Sequence, residues 1–217
     1  METVVRVIAI DGPAGAGKST VAQAVAERMG FDYLDTGAMY RAVALETLRR
    51  GVDPDDAAAV GRIASEIDLR VTGERIFIGV EDVSRKIRSA EVTRAVSLVS
   101  THPEVRTQMV RRQREVAAGR NVVVEGRDIG SVVFPDADAK VYLTASIEER
   151  ARRRTDQLAL DRDLLEEIRT DLWRRDEVDS TRPESPLTRA PDAVEVDSTD
   201  KTVEQVVDEI EMLVSGP

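Results

Sequence analysis

The fold of this chain is decided by the stretch Val4-Val5-Arg6-Val7-Ile8-Ala9-Ile10-Asp11-Gly12-Pro13-Ala14-Gly15-Ala16-Gly17-Lys18-Ser19. Its apolar first part, up to Ile10, predicts a buried strand. Its second part is rich in glycine and ends in Lys-Ser. The residues after it, Thr20–Met29, have the apolar spacing of a helix that ends at Gly30. A strand, a glycine-rich turn with Lys-Ser and a helix together predict a phosphate-binding P-loop.

Each residue type in this loop suits the binding of a nucleoside triphosphate. Gly12, Gly15 and Gly17 let the backbone turn its N–H groups inward, and the positive end of the following helix adds to the anion site. Lys18 brings a charge to the β- and γ-phosphates, and the Ser19 hydroxyl can bind Mg²⁺. A second protein ligand for Mg²⁺ stays open. The residues that we predict to bind ATP here are Gly12, Pro13, Ala14, Gly15, Ala16, Gly17, Lys18, Ser19 and Thr20.

Length and composition limit the classes of protein to consider. The chain has 217 residues, of which 41% are hydrophobic, enough for one α/β domain with an inserted lobe or for two small domains. It has no cysteine, which excludes disulfides and thiolate metal sites. The net charge of -10 argues against non-specific binding to nucleic acid. Because we find neither a long apolar run nor a secretion signal, we expect a cytoplasmic protein without a membrane partner.

The pattern of elements predicts an α/β fold with a doubly wound, mainly parallel sheet, because strands alternate with helices. The exception is a set of short alternating runs within residues 69–83, which predicts a small antiparallel meander. It is followed by two helical segments. We therefore predict a core made of residues 1–36 and 119–217, an inserted lobe of residues 37–118, and a lid at about residues 150–182. Ser146 and Glu149 predict a capping box at the start of the lid.

A P-loop alone does not separate a phosphotransferase from a GTPase switch. A switch usually carries an Asn/Thr-Lys-x-Asp segment that reads guanine, and the closest approach here, residues 199–202, does not fit. The chain has instead a second group of arginines away from the P-loop. Arg175, Asp179 and Arg182 have the spacing of one helix face. That face is either a binding site for a phosphorylated acceptor or a surface ladder of salt bridges.

The whole chain resembles the bacterial cytidylate kinase family of the nucleoside monophosphate kinases. The resemblance implies a five-stranded parallel core, an inserted lobe that binds the acceptor, and a short lid. It also implies a monomer that transfers the γ-phosphoryl group of ATP to CMP or dCMP in pyrimidine metabolism. The segments that carry the resemblance are Ile10–Ser19, Asp35–Arg41, Arg111–Arg114, Glu125–Pro135 and Arg174–Asp176, with Asp179 and Arg182.

The resemblance also implies roles for individual residues. The implied roles are acceptor-phosphate binding for Arg41, Arg127 and Arg182, cytosine recognition for Thr36, Ser97, Arg106 and Asp128, and ribose contacts for Arg175 and Asp179. Lys18, Arg127 and Arg182 would act directly on the transferred group, and Arg153 or Arg154 of the lid would reach the ATP phosphates. Two of these residues keep simpler alternatives, since Arg41 could be a solvated surface arginine and Asp128 a cap after a strand.

Overall fold

The computed structural model describes residues 6–159, 161–182 and 184–215, so Val4 and Val5 of the predicted first strand lie outside the described residues. The chain divides into two units, Met1–Asp32 with Arg120–Pro217, and Tyr33–Gly119. Among the described helices, none is long and apolar enough to cross a membrane. The elements are, in chain order, β1 (Val7–Asp11), α1 (Lys18–Met29), β2 (Asp32–Asp35), α2 (Thr36–Arg49), α3 (Ala57–Glu66), β3 (Leu69–Thr72), β4 (Arg75–Ile78), β5 (Glu81–Asp82), α4 (Ala90–Val99), α5 (Pro103–Ala117), β6 (Val122–Glu125), β7 (Ala139–Thr144), α6 (Ile147–Gln157), α7 (Leu165–Thr181), β8 (Val194–Asp197) and α8 (Val203–Ser215).

The main sheet has five strands in the order β2-β6-β1-β7-β8. β1 pairs in parallel with β6 on one side and with β7 on the other, and β7 pairs in parallel with β8. All four residues of β6 are buried, as expected for a central strand of a parallel sheet covered on both faces. The P-loop therefore leaves the carboxyl end of a central strand, which is where open α/β sheets bind their ligands.

The unit Tyr33–Gly119 holds the predicted meander. β3 pairs antiparallel with β4, and β4 pairs antiparallel with β5. Helix α2 begins with a side-chain cap, because Asp35 Oδ1 accepts a hydrogen bond of 2.8 Å from the backbone N–H of Ala38. Helix α2 packs against α3, α4 and α5, and α3 also packs against α5.

Two local predictions were wrong. Arg182 does not lie on the helix that carries Arg175 and Asp179, because α7 ends at Thr181 and Arg182 has an extended backbone. The capping box is only half formed: Ser146 Oγ accepts from the N–H of Glu149, but the Glu149 carboxylate pairs with two arginines of its own helix instead.

Candidate active site

The backbone of the P-loop has the conformation that its glycines predict. Gly12, Gly15 and Gly17 have φ values of 145°, 79° and 91°, which other residues rarely adopt. Space also requires glycine at the first position, since a Cβ on Gly12 would lie 2.0 Å from the carbonyl oxygen of Leu143 in β7. The loop is thus seated directly against the neighbouring strand.

Lys18 begins α1 and is buried, with Nζ donating a hydrogen bond of 2.8 Å to the carbonyl oxygen of Pro13. Burial, and then repulsion by Arg127, lowers the pKa of Lys18 to about 7, against the attraction of Glu125 and Asp11. A bound triphosphate would add negative charge beside Lys18 and so favour its protonated form. The site is therefore prepared for an anion.

Ser19 and Thr20 follow in the first turn of α1 and are exposed to solvent. The carboxylate of Asp11 is already hydrogen-bonded, because its two oxygens accept hydrogen bonds of 2.8 Å from the backbone N–H groups of Ile129 and Gly130. Burial raises the pKa of Asp11 to about 6, although these hydrogen bonds act to lower it. In the described ranges, no cluster of three or more His, Cys, Asp or Glu side chains could hold a metal ion.

An arginine–aspartate cluster lies in the same unit as the P-loop and is formed by Arg127, Asp128, Asp179 and Arg182. Arg127 Nε donates to Asp179 Oδ2 at 2.8 Å. Nη1 of the buried Arg182 is 3.6 Å from Asp179 Oδ1, and its Nη2 is 3.8 Å from Asp128 Oδ1. The structure thus brings together two of the three arginines predicted to bind the acceptor phosphate.

Asp179 of this cluster stabilises the positive charge of Arg127. Burial by itself would lower the pKa of Arg127, but the attraction and hydrogen bond of Asp179, with weaker attraction from Asp176 and Glu125, raise it instead. Arg175 is half-buried one turn before Asp179 on α7. The predicted phosphate and ribose contacts of this unit therefore lie close together.

Of the two arginines of the predicted lid, Arg153 is the one that contacts the P-loop. Arg153 Nη1 donates to the carbonyl oxygen of Ala16 at 3.3 Å and to Ser198 Oγ at 2.9 Å. Arg154 Nη1 instead donates to Gln157 Oε1 of the same helix at 2.8 Å. Arg153 is thus the one of the two that is hydrogen-bonded to the P-loop in the described structure.

The unit Tyr33–Gly119 gathers its own predicted site residues around α2. Arg41 Nη1 donates to Thr93 Oγ1 of α4 at 2.8 Å, so Arg41 is held in the lobe rather than solvated. The guanidinium of the buried Arg106 lies over the ring of Tyr40, 5.7 Å from its centroid. Thr36 is buried at the start of α2. Ser97 is half-buried and follows Thr93 by four residues, on the same face of α4.

Sequence reasoning missed several supporting contacts. Asp11 gave no signal of its role, because its partners are backbone N–H groups more than a hundred residues away. The backbone N–H of Ala14 donates a hydrogen bond to Asp176, and its carbonyl oxygen accepts one from Arg150. Asp176 belongs to a segment that carried the family resemblance, yet no role was assigned to it. Such contacts depend on tertiary packing that spacing along the chain does not reveal.

Comparison of the sequence with known proteins identifies relatives named cytidylate kinase. A family model described as cytidylate kinase matches residues 8–215. A cytidylate kinase from Mycolicibacterium paratuberculosis is 55% identical over 215 residues, spanning 96% of this chain and 94% of that protein. One from Caldanaerobacter subterraneus subsp. tengcongensis is 49% identical over 205 residues, spanning 94% and 92%.

Two solved structures share the fold at low identity. A shikimate kinase from Bacteroides thetaiotaomicron is 15% identical with a TM-score of 0.51, covering 97% of this chain and 99% of that chain. A gluconokinase from Sinorhizobium meliloti is 16% identical with a TM-score of 0.51, covering 97% and 91%. At these identities the likeness concerns the fold alone. It confirms the predicted α/β class.

Proposed function

Because this chain belongs to the cytidylate kinase family and is a kinase, we propose that it transfers the γ-phosphoryl group of ATP to CMP or dCMP. The products are CDP or dCDP and ADP. The observation that carries the proposal is the arginine–aspartate cluster in the same unit as the P-loop. A hydrolase or a switch needs only one phosphate-binding loop, whereas a nucleotide acceptor brings a phosphate of its own.

The proposed reaction needs no general base, since the attacking group is a phosphate oxygen that is already ionised at neutral pH. Catalysis is then positioning and the neutralisation of charge on the transferred group. Lys18 of the P-loop is proposed to stabilise the transferred phosphoryl group. Arg127 and Arg182 are proposed to hold the acceptor phosphate in line with it, and Arg153 to bind the phosphates of ATP.

Mg²⁺ is part of this proposal. We propose that the exposed hydroxyl of Ser19 is the single protein ligand of Mg²⁺, and that phosphate oxygens and water are its other ligands. Asp11 is a poorer candidate, because both of its carboxylate oxygens already accept backbone hydrogen bonds. When bound, Mg²⁺ would neutralise the oxygens of the donor phosphates. The residues around it would keep the roles given above.

Asp128 is proposed to select cytosine. A carboxylate can accept a hydrogen bond from the exocyclic amine of cytosine, whereas uracil presents a carbonyl oxygen there that the carboxylate repels. Asp128 is buried and faces Arg182, so it is oriented rather than free to move away. A site built to hydrogen-bond one group rejects the analogue that lacks it.

The remaining site residues keep the roles implied by the family, as proposals. We propose that Arg175 and Asp179 contact the ribose, and that Arg41 contributes to phosphate binding. All three are half-buried, and Arg41 and Asp179 are also hydrogen-bonded, which supports a role other than that of solvated surface charges. Thr36, Ser97 and Arg106 are proposed to contact the base. On the same family basis, we propose that the enzyme acts as a monomer in cytoplasmic pyrimidine metabolism.

The fate of the γ-phosphoryl group tests the proposed donor and products. We expect that incubation with ATP labelled in the γ-phosphate, Mg²⁺ and CMP moves the label into CDP, with little inorganic phosphate formed. Thin-layer chromatography of the products measures this. Label found mainly in inorganic phosphate would contradict transfer and favour a hydrolase, and the same experiment with labelled GTP separates that outcome from a GTPase switch.

A further inference from the structure

The backbone N–H and C=O of Ala14 in the P-loop, which belong to two successive peptide groups, are both held by one buried ion pair. The Ala14 N–H donates to Asp176 Oδ1 of α7 at 3.2 Å. Its carbonyl oxygen accepts from Arg150 Nη1 of α6 at 3.0 Å. Arg150 Nη1 also pairs with Asp176 Oδ2 at 2.5 Å, which closes a ring of hydrogen bonds with the backbone of Ala14.

The same place is packed as well as hydrogen-bonded. Ala14, Ala151 and Leu172 form a buried apolar cluster beside the ion pair. A third contact of Arg150 fixes its guanidinium, since Nε donates to the carbonyl oxygen of Ala145 at 3.1 Å. The side chains of Arg150 and Asp176 are only 10% and 19% exposed. The P-loop is therefore fastened at Ala14 to the two helices that follow β7.

The charges in this arrangement are unusual for an anion site. Asp176 places a carboxylate against a loop that we propose binds three phosphates, and a lone carboxylate there would repel them. Arg150 balances that charge and keeps the carboxylate bound to the Ala14 N–H. One turn later on α7, Asp179 holds Arg127 of the arginine–aspartate cluster. The helix that steadies the donor loop thus also steadies a proposed acceptor arginine.

We propose that Arg150 and Asp176 are positioning residues, which fix the backbone on both sides of the Ala14 Cα so that the P-loop is preformed for the triphosphate. The inference rests on the proposed function, in which the P-loop binds ATP. It assigns to the pair an effect on ATP binding and on the alignment of the transferred group, without a direct contact to CMP.

The test compares Arg150→Met, Asp176→Asn and the double variant, using Mg·ATP as the varied substrate at saturating CMP. We expect Asp176→Asn to raise the KM for ATP by about tenfold, because it removes the charge from a hydrogen bond and an ion pair. Arg150→Met should raise it further, since an unbalanced carboxylate then faces the phosphates. The KM for ATP of the double variant should be lower than that of Arg150→Met. The KM for CMP at saturating ATP should stay within about twofold of wild type.

Glu166→Gln is the matched control, since it removes a carboxylate from an exposed site of the same helix, where Glu166 pairs with Arg169 at 2.8 Å. It should behave as wild type. Melting temperatures and the binding of ADP by calorimetry accompany the kinetics. If Arg150→Met does not fold, Arg150→Lys takes its place, because lysine keeps the positive charge but not the planar guanidinium. Its KM for ATP should also be higher than that of wild type.

Three outcomes would overturn the proposal: an unchanged KM for ATP in both single variants, equal losses for ATP and CMP that follow the melting temperature, or a double variant no better than Arg150→Met. These results are distinct from a failure of the proposed function. In that case wild-type protein itself would not form CDP from CMP, whatever the variants do.

Discussion

Replacing Lys18 by methionine is expected to lower kcat for CMP phosphorylation by about 10²- to 10³-fold, the usual effect of removing one preorganised charge from a transition state. Methionine keeps much of the length of the side chain, so the buried site beside Pro13 stays filled. Steady-state rates with a coupled ADP assay measure the effect. Lys201→Met is the matched control, because Lys201 is partly exposed and pairs with Glu209 of α8.

The charge state of Lys18 gives the same variant a second readout. The pKa of Lys18 is lowered to about 7, from the ordinary 10.5, in the site without phosphates. At pH 8 the lysine is therefore mostly neutral, and an arriving triphosphate favours its protonated form. ATP binding should take up a proton at pH 8 in wild type and not in Lys18→Met. Calorimetry in two buffers of different ionisation enthalpy measures this, and equal proton uptake in both proteins would contradict the assignment.

Replacing Arg182 by alanine is expected to lower kcat by about 10²- to 10³-fold and to raise the KM for CMP by at least about tenfold. Two effects combine. The acceptor phosphate loses a proposed partner, and Asp128 and Asp179 lose a cation that faces both of them. The KM for ATP should stay near its wild-type value. Rates measured at several CMP concentrations under saturating ATP give the two constants.

Arg189→Ala is the control for this prediction. Arg189 pairs with Glu195 at 3.0 Å, and about half of each side chain is exposed, so the pair adds little to stability. The variant should keep wild-type kinetics. Unchanged acceptor kinetics in Arg182→Ala would show that the cluster has a structural role only.

Much of the P-loop could be predicted from the sequence because its parts are contiguous. The strand, the three glycines, Lys18 and the helix start follow one another, and each has a local physical requirement. The parallel sheet was likewise predictable from strands that alternate with helices, and the small meander from short alternating runs.

The geometry of the arginine–aspartate cluster was less predictable from the sequence. Helical spacing placed Arg182 on α7, whereas the chain leaves the helix at Thr181 and packs Arg182 against Asp128 from another segment. The residues that orient the site, Asp11 and the pair Arg150–Asp176, act on backbone groups far along the chain. Their partners are set by packing of the fold, which residue spacing does not encode.

The central claim, that this kinase phosphorylates cytidine nucleotides, is tested most directly by the rates of phosphoryl transfer to four acceptors. The purified protein is assayed with ATP, Mg²⁺ and either CMP, dCMP, UMP or AMP at equal concentration. We predict efficient transfer to CMP and dCMP, with UMP and AMP slower by about 10²-fold or more. Asp128→Asn should narrow the difference between CMP and UMP. Equal rates with AMP, or no transfer to CMP, would contradict the account.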